Sequence, residues 1–242
     1  MATEYLFGRN AVLESLRAGR RQHRAVLIGS FVQSDERIGE IRQLAGSLAI
    51  EVRAATADEL DRHAPHGNQG VVLETTSYPY ADPLGYRNPQ PEDILLALDE
   101  LEDPRNVGAL MRTAEAAGVA GVVIPERRSV DITPSVVNAS SGAVEHLNVW
   151  QEKNLARWLS AAADSGYWLI GLDGGEGSQN LFDADLPMPA VVIVGSEGRG
   201  LRRLTRERCD LLVRIPMYGK IESLNAAAAG SIALYHLREF GA

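Results

Sequence analysis

The stretch ILLALDELEDPRNVGALMRTAEAAGVAGVVI, residues 94–124, decides how the larger part of this chain folds. Its two ends, at 94–98 and 121–124, are continuously apolar, which is typical of parallel strands covered on both faces. Between them, residues 106–117 have the apolar spacing of a helix. A strand, a helix and a second strand in this order predict one unit of a parallel α/β sheet.

The same alternation continues towards the end of the chain. Further apolar runs lie at 168–172, 190–194 and 211–215, and helical patterns lie at 154–164, 201–208 and 225–240. We therefore expect residues 93–242 to form an α/β domain whose sheet is mainly parallel.

The first part of the chain alternates helix and strand on a smaller scale. Helical patterns lie at 10–16, 35–47 and 57–63, and strand patterns lie at 25–29, 50–54 and 70–75. Ser34 and Thr56 are suited to cap the second and third helices, because a hydroxyl accepts hydrogen bonds from first-turn amides. The pattern predicts a small α/β domain over residues 1–76.

Residues 77–92 separate the two parts. This stretch holds Pro79, Pro83, Pro89 and Pro91 within 13 positions. Proline fixes φ and has no amide hydrogen, so the stretch predicts a stiff linker between domains. An irregular loop inside one domain is the alternative.

Composition excludes several classes of protein. The chain has 242 residues, of which 45% are hydrophobic, and a single cysteine, so an internal disulfide is excluded and most of the chain should fold. The N-terminus has no basic segment followed by an apolar one, and no apolar run reaches the ~20 residues of a membrane span. We expect a soluble, cytoplasmic protein. No spacing of histidine, cysteine and carboxylate residues indicates a metal site.

Three polar segments follow buried strands and carry the functional signal. They read DPRNVGALMRT (103–113), IVGSEGRGL (193–201) and IPMYGKIESLNAAAA (215–229). Ligands of open α/β sheets bind at the carboxyl ends of the strands. The three segments therefore predict one ligand site at that edge.

The residues of these segments also have structural interpretations. Asn106 is suited to cap a helix and Arg112 to lie exposed on it, while Ser223 or Asn225 is suited to cap the last helix. The glycines of the second segment are not spaced as in the dinucleotide fingerprint G-x-G-x-x-G, which argues against a nucleotide-dependent dehydrogenase. Glu197 among them would repel a phosphate but is suited to assist a hydroxyl or to bind a cationic ligand.

The charge distribution is compatible with RNA as a partner, although the net charge is −8. Arginine outnumbers lysine strongly and forms two clusters, Arg17, Arg20, Arg21 and Arg24, and Arg199, Arg202, Arg203, Arg206 and Arg208. Guanidinium groups grip phosphate and stack on bases. A solvated helix face is the alternative for each cluster.

The order of the three segments resembles the motifs of the SpoU (TrmH-like) family of RNA ribose 2′-O-methyltransferases. The segments FGRNAVLESLRAG (7–19) and HGNQGVVLE (66–74) are similar to the start and end of that family's substrate-binding domain. The resemblance implies an L30e-like N-terminal domain and a SPOUT catalytic domain with a deep trefoil knot. It also implies a homodimer that uses S-adenosyl-L-methionine.

The resemblance assigns roles to individual positions. It implies that the reaction centre is lined by Asn106, Arg112, Glu197, Ser223 and Asn225, and that Gly195, Ile215 and Leu224 contact the cofactor. Arg112 would activate the ribose hydroxyl. Ala226 and Ala227 stand where the family usually has Val and Ser, which removes one hydroxyl near the cofactor.

The most similar branch of the family methylates a guanosine ribose in bacterial 23S rRNA. Two alternatives stay open: tRNA as the substrate, and a non-catalytic RNA-binding or ribosome-assembly protein that has kept the fold.

Overall fold

A computed structural model describes residues 2–33, 35–82 and 85–241. The first half holds β1 (Thr3–Phe7), α1 (Arg9–Ala18), β2 (His23–Gly29), α2 (Glu36–Ser47), β3 (Glu51–Ala55), α3 (Ala57–His63), β4 (Val71–Thr76), β5 (Ile94–Asp99), α4 (Pro104–Ala116) and β6 (Gly121–Pro125). The second half holds α5 (Pro134–Ala139), a 3₁₀ helix (Ala143–His146), β7 (Val149–Glu152), α6 (Leu155–Asp164), β8 (Trp168–Leu172), β9 (Gln179–Asn180), β10 (Ala190–Gly195), α7 (Arg203–Arg206), β11 (Leu211–Arg214) and α8 (Ala226–Phe240).

The chain forms two compact units. One comprises residues 1–79 together with 132–146, and the other comprises residues 80–131 and 147–242. The segment 132–146 thus belongs with the N-terminal unit, a placement that the sequence did not indicate. The boundaries 1–76, 77–92 and 93–242 stay a proposal about domains. The described residues of 77–92 form neither helix nor strand, in keeping with their proline content.

The first unit is built on a four-stranded sheet of order β1-β4-β2-β3. Strand β4 pairs antiparallel with β1 and β2, while β2 and β3 are parallel. Thr56 caps α3 by accepting a hydrogen bond from Glu59 N, as predicted. Ser34 lies outside the described residues, and the cap of α2 is Asp35, which accepts from Ile38 N. A carboxylate caps a helix as well as a hydroxyl does. Because Asp35 is the cap, α2 begins at Glu36, one residue later than expected.

The segment 132–146 is fixed to the first unit by a buried ion pair. Arg21 Nη2 lies 2.8 Å from Glu145 Oε1, and both side chains are fully buried. Arg21 also bonds to Glu4 and to the carbonyl of Thr76, and Ser15 Oγ donates to Glu145 Oε2 at 3.0 Å. The charges are therefore paired and hydrogen-bonded on all sides, as burial requires.

The second unit is built on a seven-stranded sheet of order β7-β6-β5-β10-β8-β11-β9, and all its described pairings are parallel. The five apolar runs predicted from 94 onwards all form strands. Strands β5 and β10 are buried along their whole length, since both faces of the sheet are covered. The α/β fold with a mainly parallel sheet is therefore confirmed.

Several elements differ from the predicted ones. Helix α4 begins at Pro104 with Asp103 as its cap, two residues before the start predicted at 106. Proline at the first helical position needs no amide partner, which allows the earlier start. Helix α7 is one turn, shorter than the predicted 201–208. Strands β1, β7 and β9 and helix α5 were not predicted.

Candidate active site

The site is positioned by a reversal in strand order between β5 and β10. The chain leaves β5 towards β6 and β7 on one side, whereas β8 and β11 lie beyond β10 on the other. The two strands end side by side, with Gly195 in register with Asp99. Open parallel sheets bind ligands at such a switch point, where the loops diverge and leave a crevice. The first two polar segments start at these strand ends.

The first segment enters α4 through a short capped turn. Asp103 accepts a hydrogen bond from Arg105 N at 2.9 Å, and Pro104 occupies the first turn. The hydrogen bonds from the Arg105 side chain and backbone lower the pKa of Asp103, so the cap is ionised at neutral pH. Asn106 is therefore a first-turn residue, not the cap. Its Nδ2 donates to Glu197 Oε1 at 2.8 Å.

The second segment is a tight loop that folds back on its own strand. Ser196 and Gly200 form an antiparallel bridge, and Gly198 and Gly200 have φ of 77° and 66°. A Cβ at Gly195 would lie 2.2 Å from the backbone carbon of Gly200, so only glycine fits there. The close approach at Gly195 is therefore made by the loop itself. The contact between Gly195 and the cofactor that the resemblance implies stays a prediction.

A buried carboxylate holds the far end of this loop. Asp99 is fully buried and accepts from Arg202 N at 2.9 Å and from Arg202 Nε at 2.6 Å. The Arg202 guanidinium also lies 3.1 Å from Glu100 Oε1. Sequence reasoning did not single out Asp99, although an acidic residue closing an apolar strand was a visible signal. Asp99 fixes where the loop that carries Glu197 ends.

The third segment follows β11 and leads into α8. Residues 215–225 contain no helix or strand, and Asn225 caps α8 by accepting from Ala228 N at 2.7 Å. Of the two candidate caps, Asn225 is therefore the one used, and Ser223 is exposed in the loop before it. Ala226 N lies 3.4 Å from Glu197 Oε1 and donates to it.

Glu197 thus joins the three polar segments. One oxygen of its carboxylate accepts from Asn106 on α4 and from the start of α8, although these groups lie 91 and 29 residues away along the chain. A carboxylate at the first amides of a helix is stabilised by the free N–H groups there. The structure therefore brings Asn106, Glu197 and the residue after Asn225 together at one point.

The remaining predicted residues lie on the same elements. Arg112 is exposed on α4, nearly two turns beyond Asn106. Ile215 follows the end of β11, and Leu224 precedes the cap of α8; both are half-buried. Among the residues that the structure describes, the backbone groups of 215–224 make no hydrogen bond to other backbone groups outside regular elements. This loop therefore has donors and acceptors available for a ligand.

The arginine clusters divide into structural and exposed members. Arg21 is buried and paired, so our expectation that it contacts RNA is wrong. Arg206 is bound to the largely buried Asp173 at 2.9 Å, whereas Arg203 is exposed and forms a surface pair with Glu207 at 2.6 Å. Arg199 is exposed in the loop between Ser196 and Gly200, and Arg208 is exposed just after α7. These last two remain suited to contact a polyanion.

Metal and thiol chemistry find no support in the described part of the chain. No group of three or more His, Cys, Asp or Glu residues there is arranged to hold a metal ion. Burial, and then the charge of Asp210, raises the pKa of Cys209 to about 12, so its thiol is protonated and unreactive. Within the same residues, none of the helices has the length and apolar character of a membrane span.

The sequence matches two family models. Residues 93–235 match the SpoU rRNA Methylase family, and residues 5–81 match the family described as RNA 2′-O ribose methyltransferase substrate binding. A putative TrmH family tRNA/rRNA methyltransferase of Bacillus subtilis is 37% identical over 97% of this chain and 94% of its own. An uncharacterized tRNA/rRNA methyltransferase of Mycobacterium bovis is 43% identical over 96% of this chain and 73% of its own.

Comparison with solved structures also points to SpoU methyltransferases. The SpoU methyltransferase AviRb from Streptomyces viridochromogenes, crystallised with the cofactor AdoMet, superposes with a TM-score of 0.80 at 25% identity, over 98% of this chain and 90% of its own. The fold and these matches define an α/β RNA methyltransferase with an N-terminal substrate-binding domain. The chain belongs to the SpoU rRNA Methylase family.

Proposed function

We propose that this protein transfers a methyl group from S-adenosyl-L-methionine to a ribose 2′-hydroxyl of RNA, and that the target is a guanosine of 23S rRNA. The observation that carries the proposal is the Glu197 carboxylate, which gathers Asn106 and the start of α8 at the carboxyl edge of the sheet. The match of residues 5–81 to a substrate-binding domain of ribose methyltransferases supports the choice of the ribose hydroxyl.

The residues at this edge fit S-adenosylmethionine. The cofactor has no phosphate, and its sulfonium is positive, so a carboxylate at Glu197 is favourable where a phosphate would be repelled. Backbone groups of Ile215 and Leu224 lie in the loop that makes no backbone hydrogen bonds of its own, and they are suited to bind the polar edges of an adenosyl group. When bound, the cofactor supplies an activated methyl group.

Arg112, Ser223 and Asn225 then act on the RNA. A ribose hydroxyl is a weak nucleophile at neutral pH, so the transfer depends on alignment and on stabilising the developing alkoxide. A guanidinium at Arg112 holds the alkoxide and the neighbouring phosphate by two parallel hydrogen bonds. A guanidinium has only N–H donors and no acceptor for a proton, so it is a poor general base and we assign Arg112 mainly to positioning.

Several finer features belong to the same proposal. The family resemblance supports a deep trefoil knot in the catalytic domain, a homodimer and a cytoplasmic location. The exposed side chains of Ile232, Tyr235 and Phe240 on α8 support an interface between two copies of the chain.

Transfer RNA is the second candidate substrate. It is compatible with the relatives at 37–43% identity, whose names refer to tRNA and rRNA together. Ribosomal RNA is favoured by the extent of the match: a solved structure named for 2-OH methylation of C/U34 on tRNA covers only 62% of this chain, with a TM-score of 0.55 and 26% identity.

Two measurements test the proposal. Calorimetry with S-adenosylmethionine separates an enzyme from a non-catalytic RNA-binding protein, since the absence of binding would leave only the latter. Ribose methylation is then mapped across rRNA and tRNA from cells with and without the gene. Loss of one methylated guanosine in 23S rRNA is expected, whereas loss of a tRNA site would favour the second candidate.

A further inference from the structure

The first unit contains a cavity of about 630 Å³ that lies outside the site described above. It is lined by Arg9, Phe31, Val32, Gln33, Asn68, Gln69 and Gly70. All of these residues fall within the 5–81 match to a substrate-binding domain. The cavity combines an aromatic ring with several polar groups, so it is neither an apolar groove nor a purely charged patch.

The aromatic wall of the cavity is held in an exposed position. Phe31 is a large apolar side chain, and it is 60% exposed. The turn is closed by a hydrogen bond from Val32 N to Gly29 O at 3.0 Å. A Cβ at Gly29 would lie 2.6 Å from the Phe31 ring, so the ring rests directly on the glycine backbone.

The loop of residues 66–70 packs closely against the same turn. A Cβ at Gly70 would lie 2.1 Å from Val32 Cγ2, and Gly70 has a φ of 77°. Gly29 N donates to Gly70 O at 2.9 Å, which ties the turn to the loop at 66–70. Two glycines therefore place Phe31 and Val32 with their outer surfaces towards solvent. This arrangement presents an apolar surface that is fixed by backbone contacts.

The polar wall is equally fixed. Asn68 Nδ2 donates to Asp61 Oδ1 at 2.8 Å, and its Oδ1 accepts from Gly70 N at 2.9 Å. Gln69 Oε1 accepts from Arg9 N at 3.1 Å, so the amide Nε2 is the part of Gln69 that is left to donate. The Arg9 guanidinium donates to Gln69 O and pairs with Asp35.

The charge of the cavity decides whether it suits a phosphate or a neutral base of RNA. Because Arg9 is paired with Asp35, the cavity offers little net positive charge to a phosphate. A neutral base gains both from stacking on an aromatic ring and from hydrogen bonds of its polar edge to fixed side chains. A base in a duplex is not available for such stacking.

We propose that this cavity binds a single unpaired nucleobase of the RNA substrate, stacked on Phe31 with its polar edge towards Arg9 and Gln69. The proposal rests on the proposed function, because it takes RNA as the substrate. It adds a base-reading site in the N-terminal unit to the reaction site in the other unit.

The experiment measures binding of the full-length protein to a fluorescein-labelled RNA hairpin with an unpaired loop, and to a fully paired duplex with the same stem. The wild-type protein should bind the hairpin more tightly. Phe31→Ala should weaken hairpin binding about tenfold, because base–aromatic stacking is lost, and leave duplex binding unchanged. Phe31→Trp should retain the hairpin affinity. Leu48→Ala is the matched control, since Leu48 is another exposed apolar side chain of this unit, at 47%.

Three outcomes would overturn the proposal. These are equal hairpin affinity for Phe31→Ala and wild type, no preference of the wild type for the hairpin, and equal losses in Phe31→Ala and Phe31→Trp. Calorimetry with S-adenosylmethionine on the same variants keeps the proposed function separate. A wild type that binds the hairpin but not the cofactor would refute the methyltransferase assignment and leave the base site standing.

Discussion

Asn106 Nδ2 donates to Glu197 Oε1 at 2.8 Å, and this contact connects the helix after β5 to the loop after β10. The same carboxylate oxygen receives the amide of Ala226. A single side chain therefore sets the relative positions of three backbone segments. Contacts of this kind place reacting groups, and small errors in placement are costly to the rate.

The first prediction concerns this pair. Asn106→Ala and Glu197→Ala should each lower methyl transfer about 100-fold, because the three segments lose their common partner. Each change removes hydrogen bonds between the three segments, so the free energy of unfolding should fall by about 0.5–1.5 kcal/mol, far less than a loss of the fold. Single-turnover methyl transfer and thermal unfolding provide the two readouts.

A double-mutant cycle makes the test sharper. If the residues act through their contact, the double variant should be little worse than either single one. Glu207→Ala, which removes an exposed partner of Arg203 on the same unit, is the control and should leave transfer unchanged. Fully additive losses in the double variant would show that the two residues act independently.

The second prediction concerns Gly195. Gly195→Ala places a methyl group against the backbone of Gly200, so the loop carrying Glu197 must move. We expect a loss of about 1–3 kcal/mol in stability and weaker binding of S-adenosylmethionine. Gly174→Ala is the matched control, because nothing lies within 4 Å of a Cβ built there. Equal behaviour of the two variants in calorimetry and thermal unfolding would contradict the prediction.

The third prediction concerns Arg112. Arg112→Lys keeps the charge but loses the planar fork, so methyl transfer should fall at least about 100-fold while cofactor affinity is kept. Arg157→Lys, at an exposed position on α6, should behave like wild type. Near-normal turnover of Arg112→Lys would remove Arg112 from the positioning role.

The sequence predicted the second unit better than it predicted the site. Apolar runs such as 190–194 can form only buried strands, and strand order then brings their loops to one edge. The sequence could not show that Asp103 begins α4, because Asn106 is equally suited to cap. Nor could it show which groups Glu197 would accept from, since that depends on how the loop folds back at Gly195.

A long-range contact explains why the expectation for Arg21 was wrong. Arg21 looked like a member of an exposed cluster, but its partner Glu145 lies 124 residues further on, in a segment between two strands of the other unit. Nothing in the local pattern of either residue indicates burial. Only the folded chain shows that the two charges neutralise each other.

The fourth prediction concerns the buried ion pair of Arg21 and Glu145. Arg21→Met leaves Glu145 buried without its partner and should cost about 3–5 kcal/mol, measured by chemical denaturation. Combining it with Glu145→Leu should recover part of the loss, because no fully buried charge is then left unpaired. Arg24→Ala removes an exposed pair with Glu74 and should cost under ~1 kcal/mol. Similar losses for Arg21→Met and Arg24→Ala would show that the buried pair contributes no more than the exposed one.

The fifth prediction concerns pH and His23, which lies 3.1 Å from Ser15 Oγ beside the same pair. Burial lowers the pKa of His23, the charge of Glu145 opposes this shift, and the charge of Arg21 adds to it. The unfolded chain therefore binds a proton near pH 6.5, where the folded chain does not yet do so. Stability contributed by the neutral imidazole is present above pH 6.5 and is lost as the pH falls towards the lowered value.

Denaturation curves between about pH 7.5 and 5 measure this loss, since the unfolding free energy must rise with pH wherever the unfolded state holds more protons. His23→Gln removes the titrating group and keeps a side chain that can bond to Ser15, so its stability should vary less over this range. His66→Gln is the control, because His66 is exposed in the loop before β4. If the His23→Gln and His66→Gln variants lost stability equally on acidification, the pH dependence would have to come from other groups, and the burial of His23 would have no energetic consequence in this range.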